Sequence, residues 1–206
     1  MVWCSMIYPK LLEELIEYFK KLPGIGEKTA ERLALSLLDY SEEDINLFSN
    51  TMISAKKNLH QCEICGNLTS EKICNICDND YRNKNWICIV EDYKSIFAFE
   101  KMGKYNGVYH VLNGLISPID GISPNDINIP SLIKRCKNSD DQIELVIALK
   151  PTIEGETTTQ YIKKVLEDKT SVKVSRLSYG LPVGTELDYL DSLTLERAFE
   201  DRKNIA

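Results

Sequence analysis

The chain has 206 residues, a net charge of −6, 43% hydrophobic and 27% charged residues, and no low-complexity tract. That length can bury a real core in one large domain or two small ones, while the longest apolar runs are strand-sized and exclude a membrane span. The acidic balance excludes a broad, non-specific grip on nucleic acid, though not a local one built from backbone N–H groups at a helix N-terminus. The opening Met1-Val-Trp-Cys-Ser-Met6 lacks the charged and apolar regions of a signal peptide. Seven cysteines without such a signal point to a reducing compartment, the cytoplasm.

Pro9 suits the first turn of a helix. Leu11, Leu12, Leu15, Ile16 and Phe19 follow at helical spacing. The helix stops at Leu22-Pro-Gly-Ile-Gly26, and a second begins near Glu27 with Ala30, Leu33, Ala34, Leu37 and Leu38 along one face. Helix, tight turn, helix is the pattern of a helix-hairpin-helix. Gly24 and Gly26 can take backbone angles closed to other residues and let a phosphate approach. The amides of the turn and of the next helix then point at that phosphate. Lys28 and Arg32, four apart, share one face and can hold neighbouring phosphates. An αα-hairpin serving as a protein interface fits the same spacing. Gly-Ile-Gly-Glu-Lys-Thr is not a P-loop, because Glu27 stands where glycine is needed and no strand precedes it. Ser41 with Asp44 reads as the cap of a third helix, with Ile45, Phe48, Met52, Ala55 and Leu59 as its buried face.

That helix leads to two Cys-x-x-Cys turns, Cys62/Cys65 and Cys74/Cys77, with eight residues between them. Each turn lets two sulfurs converge on one point, so the pair supplies four thiolates, a closed tetrahedral shell suited to Zn²⁺. A closed shell leaves no position for water, so the metal is structural. Disulfides or a redox pair fit poorly with the cytoplasmic reading. Cys4, Cys88 and Cys136 are left over as ordinary thiols, and His60 stands close enough in sequence to be an accessory neighbour of the zinc.

After the knuckles, strands are expected at Trp86–Val90, Val108–Leu112, Ile143–Leu149 and Val172–Ser175. Helices are expected at about 93–102, 130–136 and 157–168, with a last one over 193–203. Residues 117–124 hold too many turn formers for regular structure. Alternating strands and helices predict a mainly parallel sheet covered on both faces, whose chemistry belongs at the strands' C-terminal ends. Glu91 follows the first strand, and Glu154 and Glu156 come just past the third. Three carboxylates converging there would suit Mg²⁺; solvated loop acids are the competing reading. His110 lies within a strand and is read as packed.

In this order the pieces closely resemble the RecR family of bacterial recombination mediators. The match rests on Leu22-Pro-Gly-Ile-Gly26 with Lys28 and Arg32, the four cysteines, and Ile87-Cys-Ile-Val-Glu91. It continues through Tyr109-His-Val-Leu112, Ser117-Pro-Ile-Asp-Gly121, Pro151-Thr-Ile-Glu-Gly-Glu156 and Tyr179-Gly-Leu-Pro-Val-Gly184. The resemblance implies an α+β multidomain chain: a helix-hairpin-helix over 1–60, a Cys4 zinc finger over 61–84, an α/β Toprim domain over 85–178, and a C-terminal segment with a Walker-B-like acidic run and helix over 179–206. It implies a cytoplasmic, nucleoid-associated, non-enzymatic mediator of recombinational DNA repair. Such a protein forms a ring, expected as a tetramer, and acts with RecO or RecF to load RecA onto gapped single-stranded DNA coated by single-strand-binding protein. DNA contacts fall to Gly24, Gly26, Lys28 and Arg32, one Zn²⁺ to Cys62, Cys65, Cys74 and Cys77, and the RecO contact to the surface around Glu91, Glu154 and Glu156. The rival is a metal-dependent Toprim enzyme, a nuclease or primase. Its Asp-x-Asp pair is missing where the chain reads Ala148-Leu-Lys-Pro-Thr152. Ser95 and Lys150 also depart from the family pattern of an acid and an asparagine, which weakens the case for Mg²⁺ there.

Overall fold

The computed structural model describes residues 8–137 and 141–204, so Cys4 lies outside the described residues. The chain divides into two units, Met1–Leu59 and His60–Ala206.

In the first unit, Pro9 stands at the N-cap of α1 (Lys10–Lys20). The 3–4 spacing of Leu12, Leu15, Ile16 and Phe19 turns one face toward Ala30 and Ala34 of α2 (Glu27–Leu37). Those two alanines are fully buried, and small side chains at a contact let helix axes approach. Leu11 and Leu38, expected on the stripes, are instead exposed. Helix α3 (Glu42–Asn58) starts as expected, the Ser41 hydroxyl accepting the Asp44 N–H at 3.1 Å. Its expected apolar face is not buried: Phe48, Met52 and Leu59 are 46%, 52% and 44% exposed, and Ala55 is exposed too. The core of this unit is the small one between α1 and α2, and among the described residues it leaves nothing to cover a helix as long as α3.

The second unit opens with a short antiparallel pair, β1 (His60–Gln61) and β2 (Leu68–Thr69), and a single turn, α4 (Asn75–Asp78). Then come β3 (Asn83–Val90), α5 (Tyr93–Met102), β4 (Gly107–Val111), α6 (Ile129–Lys137), β5 (Ile143–Ala148), α7 (Ile153–Val165), β6 (Val172–Arg176) and α8 (Ser192–Glu200). The four long strands form one all-parallel sheet in the order β4-β3-β5-β6, with Ile87 opposite Val108 and Leu145. Ile87 to Val90 are buried in succession, as a strand covered on both faces requires. Parallel pairing puts the ends of β3, β5 and β6 on one edge, so Glu91, Lys150 and Arg176 gather there.

One boundary shift matters for the site. Helix α7 begins at Ile153, four residues before the expected 157, because Thr152 takes the N-cap and its hydroxyl accepts the Gly155 N–H at 3.3 Å. Glu154 and Glu156 therefore sit in a helix's first turn rather than in a loop.

One set of polar groups is paired at the edge of the sheet. Arg82 meets Glu100 at 2.5 Å and donates to the Tyr105 and Gly107 carbonyls, while Tyr109 donates to Glu100 at 2.6 Å. Burial works against the Glu100 charge, but Arg82 and Tyr109 outweigh it and hold the carboxyl below its usual value. His110 is buried, with Nε2 3.0 Å from the Asn128 carbonyl and, among the described residues, no partner for Nδ1. Burial lowers its pKa from 6.5 to about 4. The unfolded chain thus takes up a proton below pH 6.5 that the folded chain refuses until about pH 4. Stability is lost across that window, by about 3 kcal/mol. Urea unfolding of His110→Gln should show a flatter loss than the parent between pH 6.5 and 5, where most carboxylates stay ionised. Equal slopes would remove His110 from the account.

Candidate functional site

The four expected cysteines converge. Their sulfurs all lie within 4.8 Å of one another, every one of the four side chains is buried, and Cys65 and Cys74 Sγ are 3.6 Å apart. A tetrahedron with Zn–S bonds of about 2.3 Å has S–S edges of roughly 3.8 Å, so the set fits Zn²⁺. Backbone N–H groups point at the sulfurs, from Asn67 to Cys65 Sγ at 3.4 Å and from Cys74 to Cys62 Sγ at 3.3 Å. Such donors favour thiolates. With no cation, Cys77 is pushed up to about 12: the Cys65 contact lowers it, but Cys74 and burial raise it further. A divalent ion reverses that cost. The chain carries one structural zinc. His60 is exposed, its Nδ1 3.3 Å from the Gln61 carbonyl, and is no part of the cluster.

The finger is built into the sheet. The Val111 N–H at the end of β4 donates to the Cys65 carbonyl at 2.7 Å, and Lys84 of β3 donates to the Cys77 carbonyl at 2.5 Å. All four cysteines belong to the same buried cluster as Ile87, Val111 and Leu112.

At the hairpin, Gly24 has φ +81°, a left-handed turn that disfavours any side chain. Gly26 departs from expectation. Its φ of −86° and ψ of 172° are open to every residue, and it serves as the N-cap of α2. Among the described residues, a Cβ at either glycine would meet nothing within 4 Å, so the backbone there is bare to an incoming group. No side chain among the described residues caps α2, which leaves its first amides open to a ligand. Lys28 and Arg32 are both exposed beside it. Lys28 borders a cleft whose other walls include Glu13, Glu17, Glu27 and Glu31, so positive charge is confined to one flank.

The three acids at the sheet edge do not form a metal set. Among the described residues, the only group of three or more metal-ligating side chains within reach of one ion is the cysteine cluster. Glu91 instead meets the Lys150 ammonium at 3.1 Å. Glu154 is held below the usual carboxylate range by its own backbone N–H, the Thr152 hydroxyl and the Lys150 charge. Glu156 accepts from the Tyr179 hydroxyl and faces Arg176 at 3.9 Å and Arg197 at 3.8 Å. The residues present therefore do not fit Mg²⁺. Sequence reasoning missed this network of Tyr179, Arg176 and Arg197. Arg176 ends β6 beside the acids, and that was the available signal; Arg197 lies far along the chain and gave none.

Four family models match in chain order: the RecR helix-hairpin-helix over residues 12–56, the RecR Cys4-zinc finger domain over 59–79, the Toprim domain over 85–178 and the RecR C-terminal model over 180–203. The recombination protein RecR of Lactobacillus acidophilus is 47% identical over 97% of this chain and 100% of its own length. That of Lactobacillus helveticus is 47% identical over 96% and 98%. The chain belongs to the RecR family. Membership makes it a recombination protein with a helix-hairpin-helix, a zinc finger and a Toprim domain. Within this RecR-family chain, the Walker-B-like run Glu186-Leu-Asp-Tyr-Leu-Asp191 leads into the last helix. Glu186 precedes a 3₁₀ turn at Leu187–Tyr189, and Asp191 caps α8 by accepting the Thr194 N–H at 2.9 Å. No helix among the described residues is long and apolar enough to cross a membrane.

Proposed function

We propose that the chain is a non-catalytic, DNA-binding recombination mediator that assembles into a ring and works in the cytoplasm on nucleoid DNA. The observation that carries this reading is the bare Gly24-Ile-Gly26 turn, with the uncapped N-terminus of α2 and exposed Lys28 and Arg32 beside it. It offers backbone donors and two cations to phosphates and nothing that reads base edges, so contact is sequence-independent. The uncovered face of α3, with Leu47, Phe48, Met52 and Ile53 exposed, supports self-association, expected as a tetramer. The strand-end surface around Glu91, Glu154 and Glu156, where these acids already meet this chain's own cations, is the contact surface for RecO in the family resemblance, with RecF as the alternative partner and RecA and single-strand-binding protein acting downstream. No catalytic step is assigned. The sheet edge lacks the acids that hold metal in a nuclease or primase, and Lys150 neutralises Glu91.

The test is a mobility-shift titration of gapped DNA with the purified protein, alone and with RecO. A shift that RecO strengthens, with the DNA left uncut and unextended under Mg²⁺ or Mn²⁺, is the expected result. Metal-dependent cleavage abolished by Glu91→Ala would promote the enzyme reading.

A further inference from the structure

The Toprim edge is crowded with this chain's own cations. Lys150 stands two residues past the end of β5 and places Nζ 3.1 Å from Glu91 Oε1. Its position is set by packing: a Cβ on Gly155 would lie 2.0 Å from the Lys150 carbonyl, so α7 runs hard against the chain there. At the neighbouring strand end the Tyr179 ring lies against two guanidiniums, Arg176 at 4.2 Å and Arg197 at 4.8 Å from its centroid. Both also face Glu156, and the Tyr179 hydroxyl donates to that same carboxylate. The cluster closes through Asp201, which accepts from Arg176 Nη2 at 3.0 Å and from the Tyr179 N–H at 2.9 Å. Arg197 lies on α8 and Asp201 just beyond it, so the last helix is held to the sheet by a set of polar contacts that meet at Glu156 and Tyr179.

We propose that internal cations replace a divalent ion at the Toprim carboxylates, and that their guanidinium half, gripping Tyr179, latches helix α8 to Glu156. Each component is a kind of contact that gains from convergence. A guanidinium stacked on an aromatic face is already positioned for its carboxylate, so little freedom remains to be lost. The Tyr179 hydroxyl lies where burial and the nearby Glu156 carboxylate both keep it protonated, so it remains a donor. Apolar support is thin: Leu193, Leu195 and Phe199 of α8 are all exposed, which leaves the polar latch as the main attachment. An acid that serves as a metal ligand, or that is merely solvated, has no bearing on whether a distant helix stays folded down. Glu156 does. Engaging Glu156 from outside and keeping α8 docked then compete, because the same two arginines cannot be satisfied twice.

Hydrogen exchange on the full chain tests this, comparing the parent with Tyr179→Phe, Glu156→Gln and the double variant. Amides of 192–200 should exchange about ten-fold faster in each single variant, with the double variant no worse than the worse single one. Amides of β3 and β5 should stay unchanged, which separates release of the helix from general unfolding. Mn²⁺ titration followed by electron paramagnetic resonance should give no change at Glu91 or Glu156. Unchanged exchange of 192–200 in both single variants overturns the latch. Mn²⁺ bound by the parent and lost in Glu91→Gln or Glu156→Gln overturns the replacement of metal. Neither result bears on the hairpin, so the DNA-binding reading stands or falls separately.

Discussion

Cys62→Ser or Cys77→Ser is expected to lose the zinc and to destabilise the whole His60–Ala206 unit, not only the finger. Elemental analysis of the parent should give about one zinc per chain, as a single four-thiolate site requires. The reach of the effect follows from where the ligands sit. Cys65 accepts from Val111 at the end of β4, Cys77 accepts from Lys84 of β3, and the sulfurs fill the same buried cluster as the central strand. Without metal, three thiols and a serine would be packed against that strand with no charge to organise them. Metal binding and local folding are one equilibrium in such sites, so the loss should be on the order of 4 kcal/mol or more and show as an earlier, less cooperative thermal transition. Cys88→Ser is the control. Cys88 is fully buried in β3, its thiol pushed up to about 12 by burial, and it is no ligand. It should keep its zinc and lose only packing. A metal-free protein as stable as the parent would overturn the structural role.

Much of the molecule could be read in advance because the relevant signals are local. Paired Cys-x-x-Cys turns, a Ser41–Asp44 cap and the continuous apolar run at Ile87–Val90 each act within a few residues, and each element forms where it was expected. Errors appear where the deciding group lies elsewhere. The stripe on α3 was legible as an apolar face, but a pattern says only that a face wants cover, not that this chain supplies it. Gly26 was read with Gly24 as a conformational need, while its actual use is an open N-cap. Helix α7 starts four residues early because Thr152 takes its N-cap, the hydroxyl accepting the Gly155 N–H. The sharpest case is the acidic edge. Glu91, Glu154 and Glu156 follow strands as ligands would, yet their partners are Lys150, Thr152 and two arginines, one of them brought in by the final helix. Spacing places acids at an edge; it does not report which cation meets them.

The largest functional effect is expected from Lys28→Ala with Arg32→Ala. Each side chain is exposed on α2 beside the bare turn, and neither contributes to the buried core of α1 and α2. Removing both should leave the fold and zinc content intact while weakening DNA binding alike on every sequence. In the proposed complex one hairpin would make few phosphate contacts, and an acidic protein with net charge −6 has little else to offer. In the proposed ring, linked copies would convert later contacts into intramolecular ones and multiply the grip. The same linkage multiplies the loss. A double variant should therefore bind at least about a hundred-fold more weakly at moderate salt, with the slope of log affinity against log salt flattened by roughly one for each phosphate contact removed. Oligomeric state, measured by sedimentation, should not change, because Phe48, Met52 and the other uncovered residues of α3 are untouched. Lys28→Arg with Arg32→Lys should restore most of the binding, since charge at a phosphate matters more there than the identity of the cation. Normal DNA binding by the double alanine variant, or a parent that stays monomeric at every concentration and still binds tightly, would discard the hairpin-lined ring.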